Sequence, residues 1–279
     1  MITTKKLFKA YNFKTWRKNK FQMFLSIFSI TIAVAILLSI QLMLSLNNSY
    51  INSNARNVNE GDINISLFNQ TLTKEQLNTL DDLKSKGYFD YTTTYKLQNK
   101  LIYGDVSSTA FLKFVDPNCY PIVNKNYKYK SSLQNNGVLI SKLVADKFNL
   151  KKGDVISLNI KGFPNAMKFE VSDIIETNVT DESVVGVIVI NKSILLNSMD
   201  NKLSNSTVKE GENLVSNIHI KINEKYKLED IQKKLNETFE GQGKISTYKD
   251  VINNNKQALD KESKALDLIA VSYTHLTLP

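Results

Sequence analysis

Residues 137–160 read GVLISKLVADKFNLKKGDVISLNI. The run from Val138 to Ile140 predicts a strand, Leu143, Val144 and Phe148 ride on a short helix, and VISLNI predicts a second strand. Between them, KKGD at 151–154 is a turn. Gly153 can take the positive φ that a tight turn needs and Asp154 can bond the turn backbone, so the motif is explained without any ligand.

The same reading extends outward from this unit. MKFEVSDII and VGVIVI continue the sheet, and NLVSNIHIKI supplies a further strand. Upstream, GDINISLF alternates over Ile63, Ile65 and Leu67, and strands are expected over 91–103 and 108–115. Thr73 and Gln76 stand at capping-box spacing, Leu77, Leu80 and Leu83 form one stripe behind them, and Gly87 ends that helix. A second helix carries Leu228, Ile231, Leu235 and Phe239 on one side. A long one begins near Tyr248, polar until Lys264 and then ALDLIA. The fold class is α+β.

Charge and hydropathy place this domain. Of a net charge of +9, seven charges come from Lys5, Lys6, Lys9, Lys14, Arg17, Lys18 and Lys20, with no acid among them. The folded part is nearly neutral, which argues against a nucleic-acid groove. Phe21 to Leu46 then run without a charged residue, and these residues span about 39 Å as a helix, enough to cross a hydrocarbon core of about 30 Å. A cleaved signal peptide is disfavoured, because the run is too long and SLNNSYINSN offers no A-x-A-like site. Basic residues before the helix and none directly after it put the N-terminus in the cytoplasm. In the leader, Leu7, Phe8 and Tyr11 share one arc and Trp16 suits the interface. A short helix on anionic lipid and a plain orienting signal explain it equally well.

The expected organisation is a basic cytoplasmic leader at 1–20, a transmembrane helix at 21–46, an extracytoplasmic α+β domain at 47–265, and the start of a second transmembrane helix at 266–270. Val271–Pro279, VSYTHLTLP, resembles a translated sequencing adapter and is set aside as a non-native tail. The Lys, Asn and Ile bias suggests an AT-rich bacterial genome, hence a bacterial plasma membrane.

This order resembles the N-terminal half of an FtsX/MacB-type ABC transporter permease. The sharpest local similarity is GVLISKLVADKFNLKKGDVISLNI, followed by FEVSDIIET at 169–177, where many relatives carry Gly at the place of Ser172 or Asp173. The resemblance implies a MacB periplasmic-core-like domain between membrane helices, a second permease copy or paralogue, membrane lipid around it, and a separate cytoplasmic ATPase. It further implies transport or mechanotransmission acting on a peptide, lipid or lipoprotein at the outer face. The alternative is a single-pass anchored binding module without transport.

Enzyme motifs are not met. GQGKIS at 241–246 fails as a phosphate loop, with Thr238 where the first Gly belongs and Ile245 where Ser or Thr belongs. His219 and His275 are the two histidines. The second lies in the suspected tail, and the first alternates with Ile218 and Ile220 and is expected to face solvent. Cys119, the one cysteine, can form no intrachain disulfide or multi-cysteine metal site; its loop setting favours a half-buried spectator over the alternative of an exposed reactive thiol. Asp81, Asp82, Asp181 and Glu182 lack a partner pattern and are expected on a solvated face. No catalytic, cofactor-binding or metal residue is assigned, no cofactor is expected, and substrate-binding residues stay unassigned.

Overall fold

A computed structural model describes residues 20–123, 132–134, 136–160, 165–177, 179–195 and 213–277. The arc of Leu7, Phe8 and Tyr11 and the final two residues fall outside them. The chain divides into two compact units, one formed by residues 1–52 with 254–279 and the other by residues 53–253.

The first unit is helical where it is described. Helix α1 (Lys20–Val58) has 39 residues and contains neither Gly nor Pro, so nothing interrupts it over about 58 Å. Its polar interruptions bond back to the helix: Thr31 Oγ1 donates to the Ile27 carbonyl and Ser39 Oγ to the Ala35 carbonyl, each at 2.8 Å. Phe24, Phe28, Ile30 and Leu38 are exposed. Such a surface is unfavourable in water and natural in lipid, and α1 is the one helix among the described residues long and apolar enough to cross a membrane. The closing helix of the chain (Tyr248–Thr277) contributes Asn255, whose Nδ2 donates to Asn48 Oδ1 at 3.1 Å.

The second unit is mixed α/β. In chain order it holds β1 (Ile63–Leu67), β2 (Thr71–Leu72), α2 (Lys74–Ser85), β3 (Phe89–Tyr103), β4 (Val106–Val115), β5 (Gly137–Ser141), α3 (Lys142–Phe148), β6 (Val155–Leu158), β7 (Met167–Ile175), α4 (Thr180–Val185) and β8 (Val187–Asn191). Then follow β9 (Asn213–Leu214), β10 (Asn217–Ile222), α5 (Leu228–Thr238), β11 (Gly243–Thr247) and the start of α6 (Tyr248–Thr277). Among the described residues nine strands line up as β11-β1-β10-β3-β4-β8-β5-β7-β6.

Strand β3 divides this sheet. Its first half, Phe89–Thr94, pairs with β10, and its second half, Tyr95–Tyr103, pairs with β4. The strands therefore form two lobes that share one long strand. In the first lobe α2 and α5 supply apolar faces to β1 and β10, burying Ile63, Ile65, Leu80, Ile220, Leu235 and Phe239. In the second, Leu112, Phe114, Ile140, Phe148, Phe169 and Ile188 form the larger core. Val115, Leu139, Val187 and Val189 form a smaller one. Neighbouring residues of β5 and β8 fall into different clusters, so both faces of these strands are covered, which is why GVLIS and VGVIVI read as apolar runs without alternation.

The 137–160 unit has the expected form. Ser141 caps α3 through Val144 N, and Asn149 closes it in the left-handed region. Gly153 sits at φ +93°, and Asp154 Oδ2 accepts from Lys151 N at 2.7 Å. At α2 the capping box is formed in both directions between Thr73 and Gln76.

Candidate functional site

Two places in the 53–253 unit concentrate polar side chains that the fold must hold in position. The first is where the chain enters and leaves the sheet. Val58 ends α1, and a tight connection leads to β1, with Gly61 N donating to the Arg56 carbonyl at 2.9 Å and Asp62 N to the Ile220 carbonyl at 2.8 Å. The last strand, β11, lies antiparallel beside β1, so that Ile63, where β1 begins, pairs with Thr247, where β11 ends. Entry and departure thus fall at the same end of neighbouring strands. Side chains tie the two connections together. Arg56 lies 4.9 Å over the Tyr248 ring and its Nε stands 2.8 Å from Asp62 Oδ1. Tyr248 N donates to the Asp62 carbonyl at 3.1 Å, and Ser246 Oγ donates to Asn59 Oδ1 at 3.0 Å. Asp250 Oδ2 accepts from both Thr247 N and Thr247 Oγ1 at 2.8 Å, starting α6 with a carboxylate where helix amides are free.

The second place is a buried charge cluster at the junction of the two lobes. Lys113, near the C-terminal end of β4, is 2% exposed, and its Nζ bonds Glu60 and, at 2.7 Å, Glu182 Oε1. Glu60 comes from the α1–β1 connection, two residues beyond α1, and takes φ +59° there. It also accepts from the Tyr120 hydroxyl. Glu182, on α4, accepts a second bond from Thr177 Oγ1 at 3.1 Å, and Lys96 Nζ stands 3.9 Å from it. Lys113 further lies 5.2 Å over the Tyr120 ring. Two carboxylates and two ammonium groups balance.

Electrostatics follow from this packing. Burial, the largest single influence, would raise the Glu60 pKa, but the charges of Lys113 and His219 and the hydrogen bonds from Lys113 and Tyr120 together outweigh it and hold it at about 2. For Lys113 burial favours the neutral amine, yet Glu182 and Glu60 together keep it well above its ordinary value. Both stay charged at neutral pH.

His219 corrects the expectation of a solvent-facing histidine. It is fully buried: Lys221, two residues along on the same face of β10, is exposed, but over His219 the Tyr120 ring stands 5.8 Å from the imidazole and Glu60 lies beside it. Its Nε2 lies 2.9 Å from Thr94 Oγ1, and its Nδ1 lies 4.0 Å from Glu60 Oε2 without a hydrogen-bond partner. Glu182 is likewise corrected from a solvated carboxylate to a buried one, since α4 turns it inward to meet Lys113. Asp81 and Asp82 are exposed, as expected, with Asp82 paired to Lys86 at 2.6 Å.

Cys119 is exposed rather than half-buried. It lines an open groove of about 650 Å³ with Phe89, Asp90, Tyr91, Pro117 and Glu224. Partial burial and the nearby Asp116 push the thiol's pKa up, so it is protonated at neutral pH and a poor nucleophile. Among the described residues, no group of three or more His, Cys, Asp or Glu is placed to hold a metal ion. GQGKIS is a turn leading to an edge strand, with Gly241 at φ +68° and Gly243 opening β11.

Glu60, Lys113 and Tyr120 were missed in the sequence. Lys113 had one signal, a lone charge inside AFLKFV, which a buried strand tolerates only with a paired partner.

No protein-family model and no curated protein matches the sequence. Among solved structures, the chain is similar to the periplasmic region of MacB from Actinobacillus actinomycetemcomitans, at 16% identity and a TM-score of 0.48, over 76% of this chain and 98% of that one. It is also similar to the extracellular domain of the noncanonic ABC-type transporter YknZ from Gram-positive bacteria. There the identity is 14% and the TM-score 0.41, over 66% of this chain and 98% of that one. Both are outer domains. The chain itself has the mixed α/β domain behind a single N-terminal apolar helix that its sequence leads one to expect.

Proposed function

We propose that this chain is the N-terminal half of a permease subunit of an ABC transporter of the FtsX/MacB type. In this reading α1 crosses the plasma membrane with its N-terminus inside. Residues 53–253 stand outside as a working domain, and α6 returns the chain to the bilayer. A separate cytoplasmic ATPase hydrolyses ATP, a second permease copy or paralogue completes the pair, and the outer domains do mechanical work on a peptide, lipid or lipoprotein. Catalysis is assigned to the ATPase and none to this chain.

The observation that carries the reading is the pairing of Ile63 with Thr247. A domain inserted between two membrane helices must receive and return its chain on one side, and neighbouring antiparallel strands with both connections at one end meet that requirement. Arg56, Asn59, Asp62, Ser246 and Tyr248 brace the two connections against each other, as load passing through them would demand.

The test is to recover the reading frame beyond codon 270 and express it with the ATPase encoded beside it. The reading expects an apolar continuation of α6, two further crossings, copurification with the ATPase, and ATP hydrolysis by the complex. A complete frame with no further hydrophobic segment would overturn it and leave the anchored binding module.

A further inference from the structure

The two lobes share β3 and little else. Their main apolar cores have no residue in common. At the change of partners between Thr94 and Tyr95 the contacts are polar: Ser216 N donates to the Thr94 carbonyl at 2.8 Å, and Lys96 N donates to Ser216 Oγ at 2.9 Å. Lys192 Nζ, from the end of the second lobe's β8, reaches Thr93 Oγ1 at 3.0 Å. A single shared strand is a natural hinge, because twisting it breaks no ladder on either side. Whatever fixes the angle between the lobes must therefore be directional, and the buried cluster lies across this junction.

Its members divide between the lobes. Glu60 and His219 belong to the first, from the α1–β1 connection and β10. Lys113, Glu182, Tyr120 and Thr177 belong to the second, and Thr94 and Lys96 flank the change of partners on β3. We propose that Glu60, bonded to Lys113 and Tyr120, is the bolt of an interlobe lock, holding the second lobe to the point where α1 delivers the chain. Displacement of the α1 exit then moves both lobes together, and release of Glu60 lets the second lobe swing on β3. The link from lock to mechanotransmission rests on the permease reading; the lock itself does not.

Burial gives the device its two states. Glu60 withdrawn from Lys113 leaves an ammonium that still has Glu182, so the second lobe survives the loss. Removing Glu182 instead leaves Lys113 with Glu60, and the bolt stays in place. A merely stabilising cluster would show no such asymmetry, since loss of either carboxylate would cost stability and nothing else.

The experiment uses the full chain in detergent micelles with Cys119→Ser, spin labels at Lys147→Cys on α3 and Lys233→Cys on α5, and distance distributions from pulsed electron resonance. Glu60→Gln should broaden the interlobe distribution about twofold, whereas Glu182→Gln should leave its width unchanged while lowering the unfolding midpoint. Hydrogen exchange on β5 and β8 reports that the second lobe remains folded. Should Glu60→Gln fail to fold, Tyr120→Phe removes only one bond to the bolt and should broaden the distribution in the same sense. Equal widths in the wild type and Glu60→Gln, or in the wild type and Tyr120→Phe where the former is unfolded, would overturn the lock. Either result leaves ATPase copurification unaffected, so failure of the lock and failure of the permease reading are separable.

Discussion

Glu60 Oε2 lies 4.0 Å from His219 Nδ1, yet the two are not an ion pair at neutral pH. Burial lowers the imidazole pKa to about 4, outweighing the attraction of the Glu60 carboxylate, while Lys113 and Lys96 add to the lowering. The hydrogen is best placed on Nδ1, toward the carboxylate, with Nε2 accepting from the Thr94 hydroxyl; the opposite tautomer would set a lone pair against Glu60.

A pH dependence follows. The folded imidazole binds its proton less readily than the unfolded one, so its contribution is complete above about pH 6.5 and is lost as pH falls toward 4. The slope is on the order of 1 kcal/mol per pH unit in that window. Glu60, with its pKa lowered to about 2, contributes fully above about 4.5 and loses that contribution only below it. Urea midpoints at pH 7 and pH 5 should differ in the wild type. In His219→Gln, whose amide can still meet Thr94, the difference should shrink, and an undiminished difference would assign the slope elsewhere.

Helix α2 offers a local check. Thr73 Oγ1 accepts from Gln76 N at 3.2 Å, and Thr73 N donates to Gln76 Oε1 at 2.9 Å. Thr73→Ala removes the cap and should cost about 1 kcal/mol, while Thr73→Ser should cost much less. Thermal unfolding of both variants distinguishes them, and equal losses would locate the effect in packing.

Local order was far more legible than long-range order. KKGD, the Thr73 cap and the apolar runs of β5 and β8 each state their structure within a few residues, because turn and capping chemistry is local. Sheet order is not, since pairings such as Ile63 with Thr247 are made across the length of the domain. His219 was misread for a related reason: alternation predicts one solvated face, and Lys221 on that face is exposed, but His219 is covered by Tyr120 and Glu60, which come from distant parts of the chain. The partners in the charge cluster were illegible because Lys113 meets Glu182 only through the packing of the second lobe and Glu60 only across the junction with the first.

Gly61 is required for space rather than for an unusual backbone angle. A Cβ there would stand 2.8 Å from the Ile220 carbonyl oxygen and 2.9 Å from that of Ile63, both backbone atoms. Gly61→Ala must therefore shift the α1–β1 connection against β10, at about 2 kcal/mol or more. Gly87, at φ +75° with open space around it, should lose only about 1 kcal/mol on the same change. Denaturant unfolding of the two variants gives the ranking, and the reverse order would contradict the crowding at Gly61.

Residues 53–253 should fold without the flanking helical segments. All three apolar clusters lie wholly within this segment, and it holds every hydrogen bond described for the lobe junction. Expressed alone, it should give a mixed α/β circular dichroism spectrum and a cooperative thermal transition. A disordered spectrum would mean that the domain depends on its helices.

The last prediction concerns orientation. Seven basic residues precede Phe21, and after Leu46 the next is Arg56, so the positive-inside bias predicts a cytoplasmic N-terminus and an outer Asn47–Val58 end of α1. In whole cells, and with Cys119 replaced by serine because its exposed thiol is expected outside, Ser49→Cys should react with a membrane-impermeant thiol reagent and Thr4→Cys should not. After lysis both should react. A protein whose domain lay in the cytoplasm would give the opposite pattern in intact cells, leaving the fold intact but removing the outer-face work on which the permease reading depends.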